Sequence, residues 1–215
     1  MSKRAVLWDL DGTLVDSSDH HWSSWRDTLT AAGVDFTYEM FLSDFGKRND
    51  DILRIRLGEG APSEAIARVA DEKENRYRAL VREQGVVVLP GVPEWLERLS
   101  VGGWLQALAS SAPPANIEAI FEVTGMGRYF AAAVSSEQVS RGKPHPDVFL
   151  AAAERLGVDA SRCVVVEDAP SGVEAARRAE MRSVGVLTTH DSLDADIVVA
   201  SLADLPEDAF ERLLG

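Results

Sequence analysis

Short apolar runs along the chain predict the strands of a sheet. The first run covers residues 5–8 and is interrupted by Asp9. Continuous short apolar runs are typical of parallel strands that are buried on both faces. The further runs of this kind lie at 104–109, 130–134, 163–166, 183–187 and 197–200.

Helical patterns lie between these runs from about residue 88 onwards. The third of them ends at Gly157, a residue type that favours the left-handed conformation after a helix. Regular alternation of strand and helix predicts a parallel sheet with helices on both faces. The predicted helices cover residues 93–99, 115–123, 146–156 and 170–179.

Residues 16–86 interrupt this alternation. Their pattern is helical without intervening strands, with predicted helices at 19–32, 49–57 and 63–81. Trp22, Trp25 and Leu29 recur at helical spacing, which indicates an apolar helix face. We therefore expect an α/β fold with two domains: a Rossmann-like core formed by residues 1–15 and 87–215, and an inserted α-helical cap formed by residues 16–86.

Composition and charge narrow the possible functions. The chain has 215 residues and a net charge of −13, which disfavours nucleic acid and anionic membranes as partners. Its single cysteine, Cys163, excludes an internal disulfide and fits a reducing compartment. Apolar runs stay well below the roughly 18 residues that a membrane span needs. We expect a cytoplasmic protein.

Polar side chains follow four of the predicted strands. Open parallel sheets bind ligands beyond the carboxyl ends of their strands, so these residues are expected at one rim. The residues are Asp9 and Asp11 after the first run, Ser110 and Ser111 after the second, Lys143 after the third, and Glu167 and Asp168 after the fourth.

The acidic residues of this rim predict a metal site. Clustered carboxylates repel one another, and Mg²⁺ with its preference for oxygen ligands relieves that repulsion. Asp9 and Asp168 are the expected ligands, with Glu167 as an accessory candidate.

The same residues indicate phosphoryl transfer. A carboxylate such as Asp9 attacks phosphorus to form an acyl-phosphate. Asp11, two residues later, is placed to protonate the leaving oxygen and to activate water afterwards. Ser110 and Ser111 are candidate donors to phosphate oxygens, and Lys143 supplies positive charge for the transition state.

Four segments in order resemble the signature motifs of the haloacid dehalogenase superfamily. They are 9–13 (DLDGT), 108–111 (LASS), 142–147 (GKPHPD) and 166–172 (VEDAPSG). The resemblance implies Asp9 as nucleophile, Asp11 as general acid and base, and Mg²⁺ held by Asp9, Asp168 and the backbone carbonyl of Asp11. One departure is Glu180, where the family often has a glycine that ends a helix.

The predicted cap resembles that of the β-phosphoglucomutase and sugar-phosphatase-like branch. His21 and Lys73 resemble a cap histidine and a cap lysine of β-phosphoglucomutases. Ala112 and Pro113 stand where those enzymes carry a serine and a lysine, which favours a phosphatase. The candidate substrate contacts of the cap are His21, Trp25, Arg48, Asn49 and Lys73.

Three functions follow as expectations. The first is Mg²⁺-dependent hydrolysis of a small phosphate monoester, such as a sugar phosphate, through an aspartyl-phosphate. The second is a β-phosphoglucomutase that interconverts β-glucose 1-phosphate and glucose 6-phosphate. The third is a catalytically inactive protein that binds a partner through its cap. The expected partner is a small phosphorylated metabolite, and we expect a monomer.

Overall fold

The computed structural model describes residues 3–44 and 49–215. The chain forms two compact units. The first comprises Met1–Asp16 and Val86–Gly215, and the second comprises Ser17–Gly85. Among the described residues, no helix has both the length and the apolar character that crossing a membrane requires.

The strands and helices are numbered separately in chain order. The strands are β1 (Ala5–Trp8), β2 (Val15–Asp16), β3 (Val87–Val88), β4 (Leu105–Ala109), β5 (Ala132–Val134), β6 (Cys163–Glu167), β7 (Arg182–Val186) and β8 (Ile197–Val199). The helices are α1 (Ser18–Ala31), α2 (Tyr38–Asp44), α3 (Asn49–Leu57), α4 (Ser63–Gln84), α5 (Val92–Val101), α6 (Pro114–Thr124), α7 (Asp147–Leu156), α8 (Pro170–Arg178) and α9 (Ala209–Leu214).

The first unit contains a six-stranded parallel sheet in the order β5-β4-β1-β6-β7-β8. Strand β1 lies inside it, with Ala5 opposite Leu105 of β4 and Cys163 of β6. The later strands extend the sheet on either side of β1, so the strand order changes direction there. Such switch points place a crevice beyond the carboxyl ends of the strands. This confirms the predicted α/β, Rossmann-like fold class.

Both faces of the sheet are covered. Leu7 packs into a core cluster with Phe149 of α7 and Ala175 of α8. The next residue, Trp8, points to the opposite face, where its ring lies 6.3 Å from that of Phe210 in α9. Helices on both faces explain why these strands are apolar without alternation.

The second unit consists of α1 to α4. Its buried core includes Trp25 and Leu29 of α1, Leu53 of α3 and Val69 of α4. The sequence pattern did not predict helix α2. The helix has only seven residues, which is too short to show a clear helical periodicity. Arg48, one of the predicted cap residues, lies outside the described residues.

The sequence-based prediction did not include strands β2 and β3 or helix α9 of the first unit. Strands β2 and β3 pair antiparallel, Val15 with Val88 and Asp16 with Val87. Two-residue strands are too short to show a periodicity. Glu180, which follows α8, has a φ of +58°. That is the left-handed conformation for which a glycine is the usual choice.

Candidate active site

The turn after β1 places the first two aspartates. Asp9 is buried, and its backbone N–H donates to Val166 O at 3.0 Å, which ties this turn to β6. Asp11 is half-buried at the start of a tight loop in which Gly12 N donates to Val15 O at 2.8 Å. Gly12 has a φ of +82°, and a Cβ there would lie 2.2 Å from Asp168 Oδ2. Only glycine fits this position without displacement.

Three of the predicted acidic residues converge beyond the strand ends. Asp9, Glu167 and Asp168 each offer a carboxylate oxygen, and these oxygens lie within 4.8 Å of one another. All three residues are buried. Asp11 does not contribute its carboxylate to this cluster, and the family resemblance assigns its backbone carbonyl instead.

Lys143 bridges two of these carboxylates. Its Nζ donates to Asp9 Oδ1 at 2.5 Å and to Glu167 Oε1 at 2.6 Å. The other Glu167 oxygen accepts from the backbone N–H groups of Asp168 and Ala169, both at 2.9 Å. Glu167 is therefore held on both sides, and it orients Lys143 and the turn after β6.

The pKa values of the cluster reflect burial and crowding. Burial raises the pKa of Asp9 well above its usual value, Lys143 opposes this, and the charges of Glu167 and Asp168 raise it further. Burial, together with the charge of Glu167, raises the pKa of Asp168 to about 6. For Lys143, burial lowers the pKa, but Asp9 and Glu167 outweigh that effect and raise it.

These charges fit a divalent cation. A single ammonium faces three buried carboxylates, so the site lacks positive charge when all three are ionised. Oxygen ligands of this type, in a crowded group, suit Mg²⁺. Asp9 and Asp168 are the carboxylates that the sequence assigned to the metal, and both are present in the cluster.

Ser110 and Ser111 follow β4, at the same sheet edge. Ser110 is buried, and its Oγ accepts from Ala112 N at 3.0 Å. Because that oxygen acts as the acceptor in this contact, its hydroxyl hydrogen can donate to a ligand. Ser111 is exposed. Helix α6 begins only at Pro114, so neither serine caps it.

Four of the predicted cap residues form one cluster within the second unit. Lys73 Nζ lies 3.2 Å from His21 Nδ1 and 5.2 Å from the centre of the Trp25 ring. Lys73 Nζ and Asn49 Nδ2 both donate to Glu74 Oε1, at 2.8 and 2.6 Å. Sequence reasoning missed Glu74, because an acidic residue beside a lysine on a helix resembles a solvated surface.

Sequence reasoning also missed the hydroxyl groups around Asp168. Thr13 Oγ1 donates to Asp168 Oδ1 at 3.0 Å, and Thr189 Oγ1 donates to Asp168 Oδ2. Thr13 belongs to the first motif, whereas Thr189 follows β7 and lies outside all four motifs. A polar residue directly after a predicted strand was the available signal.

Comparison with known proteins gives consistent matches. The family model of the haloacid dehalogenase-like hydrolases matches residues 3–180. Hexitol phosphatase B of Escherichia coli (strain K12) is 34% identical over 219 residues, which cover 98% of this chain and 96% of that protein. The β-phosphoglucomutase of Mycobacterium tuberculosis (strain CDC 1551 / Oshkosh) is 32% identical over 240 residues, which cover 94% of this chain and 91% of that protein.

A solved structure extends this similarity to the fold. The crystal structure of a CbbY mutant from Rhodobacter sphaeroides in complex with xylulose-1,5-bisphosphate has a TM-score of 0.86 to this chain. The two chains are 26% identical, and the match covers 94% of this chain and 96% of that one.

Proposed function

The chain belongs to the haloacid dehalogenase-like hydrolases, and from this membership we propose that it is a Mg²⁺-dependent phosphatase acting on a small phosphate monoester. One observation carries the proposal. The buried Asp9 lies at the end of β1, in contact with Lys143 and within a cluster that includes Asp168. A carboxylate proposed as the nucleophile, a fixed positive charge and candidate metal ligands thus occur together.

In the proposed first step, the Asp9 carboxylate attacks phosphorus while the bond to the leaving alcohol oxygen breaks. Asp11 gives its proton to that oxygen, so the alcohol leaves neutral. In the second step, Asp11 takes a proton from water as the water oxygen attacks phosphorus. The bond from phosphorus to Asp9 then breaks, which releases inorganic phosphate and restores the carboxylate.

Other residues hold the phosphoryl group during both steps. Lys143 supplies positive charge where the phosphate oxygens gain negative charge, and Ser110 and Ser111 donate hydrogen bonds to them. Asp9, Asp168 and the backbone carbonyl of Asp11 would hold Mg²⁺. When bound, the ion would neutralise the carboxylates and polarise the phosphoryl group.

We propose a sugar phosphate as the substrate. Related proteins include hexitol phosphatase B and a fructose-1-phosphate phosphatase of Escherichia coli. The proposed substrate contacts in the second unit are His21, Trp25, Arg48, Asn49 and Lys73. Polar donors beside an aromatic ring suit a polyhydroxylated ligand. The predicted core and cap domains, the cytoplasmic location and the monomeric state remain proposals.

A β-phosphoglucomutase is the second candidate. The contact of Lys73 Nζ with His21 Nδ1 at 3.2 Å supports it, because these residues resemble the cap pair of those enzymes. In that case a sugar hydroxyl replaces water in the second step. Ala112 and Pro113 weigh against it. With β-glucose 1-phosphate and Mg²⁺, a mutase forms glucose 6-phosphate, and a phosphatase releases inorganic phosphate.

A panel of phosphate esters tests the main proposal. The purified protein is assayed with Mg²⁺ and with EDTA, beside Asp9→Asn and the exposed control Asp204→Asn. We expect turnover that needs Mg²⁺, is lost by at least about 1,000-fold in Asp9→Asn, and persists in Asp204→Asn. Acid quenching during turnover should leave phosphate on Asp9, detectable by mass spectrometry of peptides.

Two results would contradict the proposal. Equal turnover of the wild type and Asp9→Asn would exclude Asp9 as the nucleophile. If no ester in a broad panel is turned over by the wild type above the Asp9→Asn background, the third expectation, an inactive partner-binding protein, is favoured instead.

A further inference from the structure

Residues 188–190, which follow β7, contact Asp168 and the turn that follows Asp11. We propose that Thr189 is a positioning residue for the Asp168 carboxylate, and that Thr188 and His190 hold it in that role. This inference rests on the proposed function, because it assigns Asp168 to Mg²⁺. None of the three residues belongs to the four motifs that resemble the family.

Two hydroxyl groups hold the two oxygens of the Asp168 carboxylate. Thr13 Oγ1 donates to Oδ1 at 3.0 Å, and Thr189 Oγ1 donates to Oδ2. The two hydroxyls come from positions 155 and 21 residues away from Asp168, on different loops. They fix the rotation of the carboxylate from both sides. Each oxygen keeps acceptor capacity for a cation, since a carboxylate oxygen accepts more than one contact.

The Thr189 hydroxyl contacts Asp168 and His190, and its single hydrogen decides which group donates in each contact. Its hydroxyl has one hydrogen, and an ionised Asp168 can only accept, so that hydrogen points to Asp168. His190 Nδ1 lies 2.9 Å from Thr189 Oγ1 and 3.2 Å from the backbone oxygen of Asp168. Neither oxygen has a hydrogen to spare for this contact. His190 therefore carries its hydrogen on Nδ1 and donates, which orders the Thr189 hydroxyl.

The same segment also contacts the turn after β1. Thr188 Oγ1 donates to the backbone oxygen of Gly12. A Cβ on Gly12 would lie 2.9 Å from Thr189 Cγ2 and 2.2 Å from Asp168 Oδ2, so these groups pack without spare space. The segment therefore sets the spacing between Asp168 and the Asp11–Gly12 turn, in which the backbone carbonyl of Asp11 is another of the proposed ligands.

Residues that orient a metal ligand contribute to metal affinity without touching the metal. Loss of such a hydrogen bond lets the ligand rotate, and typical costs are about 10- to 100-fold in metal affinity. For Thr189 we expect a cost at the lower end, because Thr13 still holds the other oxygen of Asp168.

The test measures Mg²⁺ binding rather than activity. Metal-free protein is prepared with EDTA, dialysed, and titrated with Mg²⁺ alone by calorimetry and by the rise in melting temperature. Thr189→Val removes the hydroxyl at nearly constant volume, whereas Thr189→Ser keeps it. Thr124→Val is the matched control, since the Thr124 hydroxyl donates to Ile120 O within α6.

We expect an Mg²⁺ Kd about tenfold higher for Thr189→Val. Thr189→Ser should stay within about twofold of the wild type, and Thr124→Val should be unchanged. Melting of the metal-free Thr189→Val and Thr124→Val proteins should be similar, which separates positioning from a general loss of stability.

Equal Mg²⁺ affinity of Thr189→Val and the wild type would overturn the inference. So would a Thr189→Ser variant that binds as weakly as Thr189→Val, since the hydroxyl would then not be responsible. A wild-type protein that binds no Mg²⁺ would instead remove the metal assignment on which the inference rests.

Discussion

Lys143 Nζ lies 2.5 Å from Asp9 Oδ1, although the two residues are 134 positions apart in the chain. Both side chains are almost fully buried, with 7% and 10% exposed. A buried ion pair of this kind is costly to break, because the remaining partner keeps a charge in a site of low dielectric constant.

Replacing Lys143 with methionine tests this relationship. Lys143→Met removes the charge but keeps most of the side-chain volume. We expect the free energy of unfolding to fall by about 3 kcal/mol in urea at pH 7. Turnover should fall by at least about 100-fold, since the phosphate loses a cationic partner. The exposed Lys3→Met variant is the control, and a Lys143→Met protein as stable and active as that control would contradict the prediction.

The raised pKa of Asp168 predicts how the stability of the metal-free protein depends on pH. The Asp168 pKa is about 6 in the folded protein and about 3.8 in the unfolded chain. Between these values the folded state binds more protons, so the free energy of unfolding falls as pH rises from about 4 to 6.

The asparagine in Asp168→Asn cannot ionise, so this variant does not lose stability as the pH rises through the Asp168 pKa. In EDTA at pH 7 we expect Asp168→Asn to be more stable than the wild type by up to about 3 kcal/mol. At pH 4 the two proteins should differ little. Urea unfolding at both pH values measures this, and a wild type at least as stable as Asp168→Asn at pH 7 would contradict the prediction.

The close packing around Gly12 predicts that Gly12→Ala is more damaging than Gly103→Ala. Gly12 and Gly103 have φ values of +82° and +72°, but a Cβ on Gly103 would meet no atom within 4 Å. Alanine therefore costs about 1 kcal/mol of backbone strain at either position. Only Gly12→Ala should also displace Asp168, and lower both the melting temperature and the Mg²⁺ affinity further. Equal melting temperatures of Gly12→Ala and Gly103→Ala would argue against the close packing.

Glu180 predicts a stabilising substitution. Its φ of +58° strains any residue with a Cβ, and its side chain is exposed. Glu180→Gly should raise the free energy of unfolding by about 0.5–1 kcal/mol, as chemical denaturation would measure. The control Glu118→Gly, at an exposed position inside α6, should lower it by about 1 kcal/mol. A destabilised Glu180→Gly would mean that the Glu180 side chain stabilises the fold by more than the strain costs.

The buried ion pair of Lys73 and Glu74 predicts that substitutions of these two residues have non-additive effects on the free energy of unfolding. Their side chains are 2% and 11% exposed, and the ion pair measures 2.8 Å. Lys73→Met and Glu74→Gln should each cost about 3 kcal/mol, because each leaves a buried charge. The double variant should cost less than the sum, by about 1–3 kcal/mol, in urea unfolding. Additive effects would show that the pair contributes no coupling.

The sequence alone determined the order of the six strands of the parallel sheet, the helices α5 to α8 between them, and the residues at the rim. Short apolar runs ended where Asp9, Ser110 and Glu167 begin, and parallel strands bring their carboxyl ends to the same edge. The predicted run at 5–8 coincides with β1, and the predicted helix at 49–57 coincides with α3. These features depend on periodicity over a few neighbouring residues, which is visible in one chain.

The tertiary structure alone decided which polar groups meet. Lys143 bridges Asp9 and Glu167, and Thr189 contacts Asp168, through loops whose paths no local pattern specifies. Asn49 and Glu74 meet in the same way, 25 positions apart on two helices. Hydrogen bonds between side chains need atoms placed to within a few tenths of an ångström. That precision arises only when packed elements fix the position of each loop, so it is a property of the folded chain.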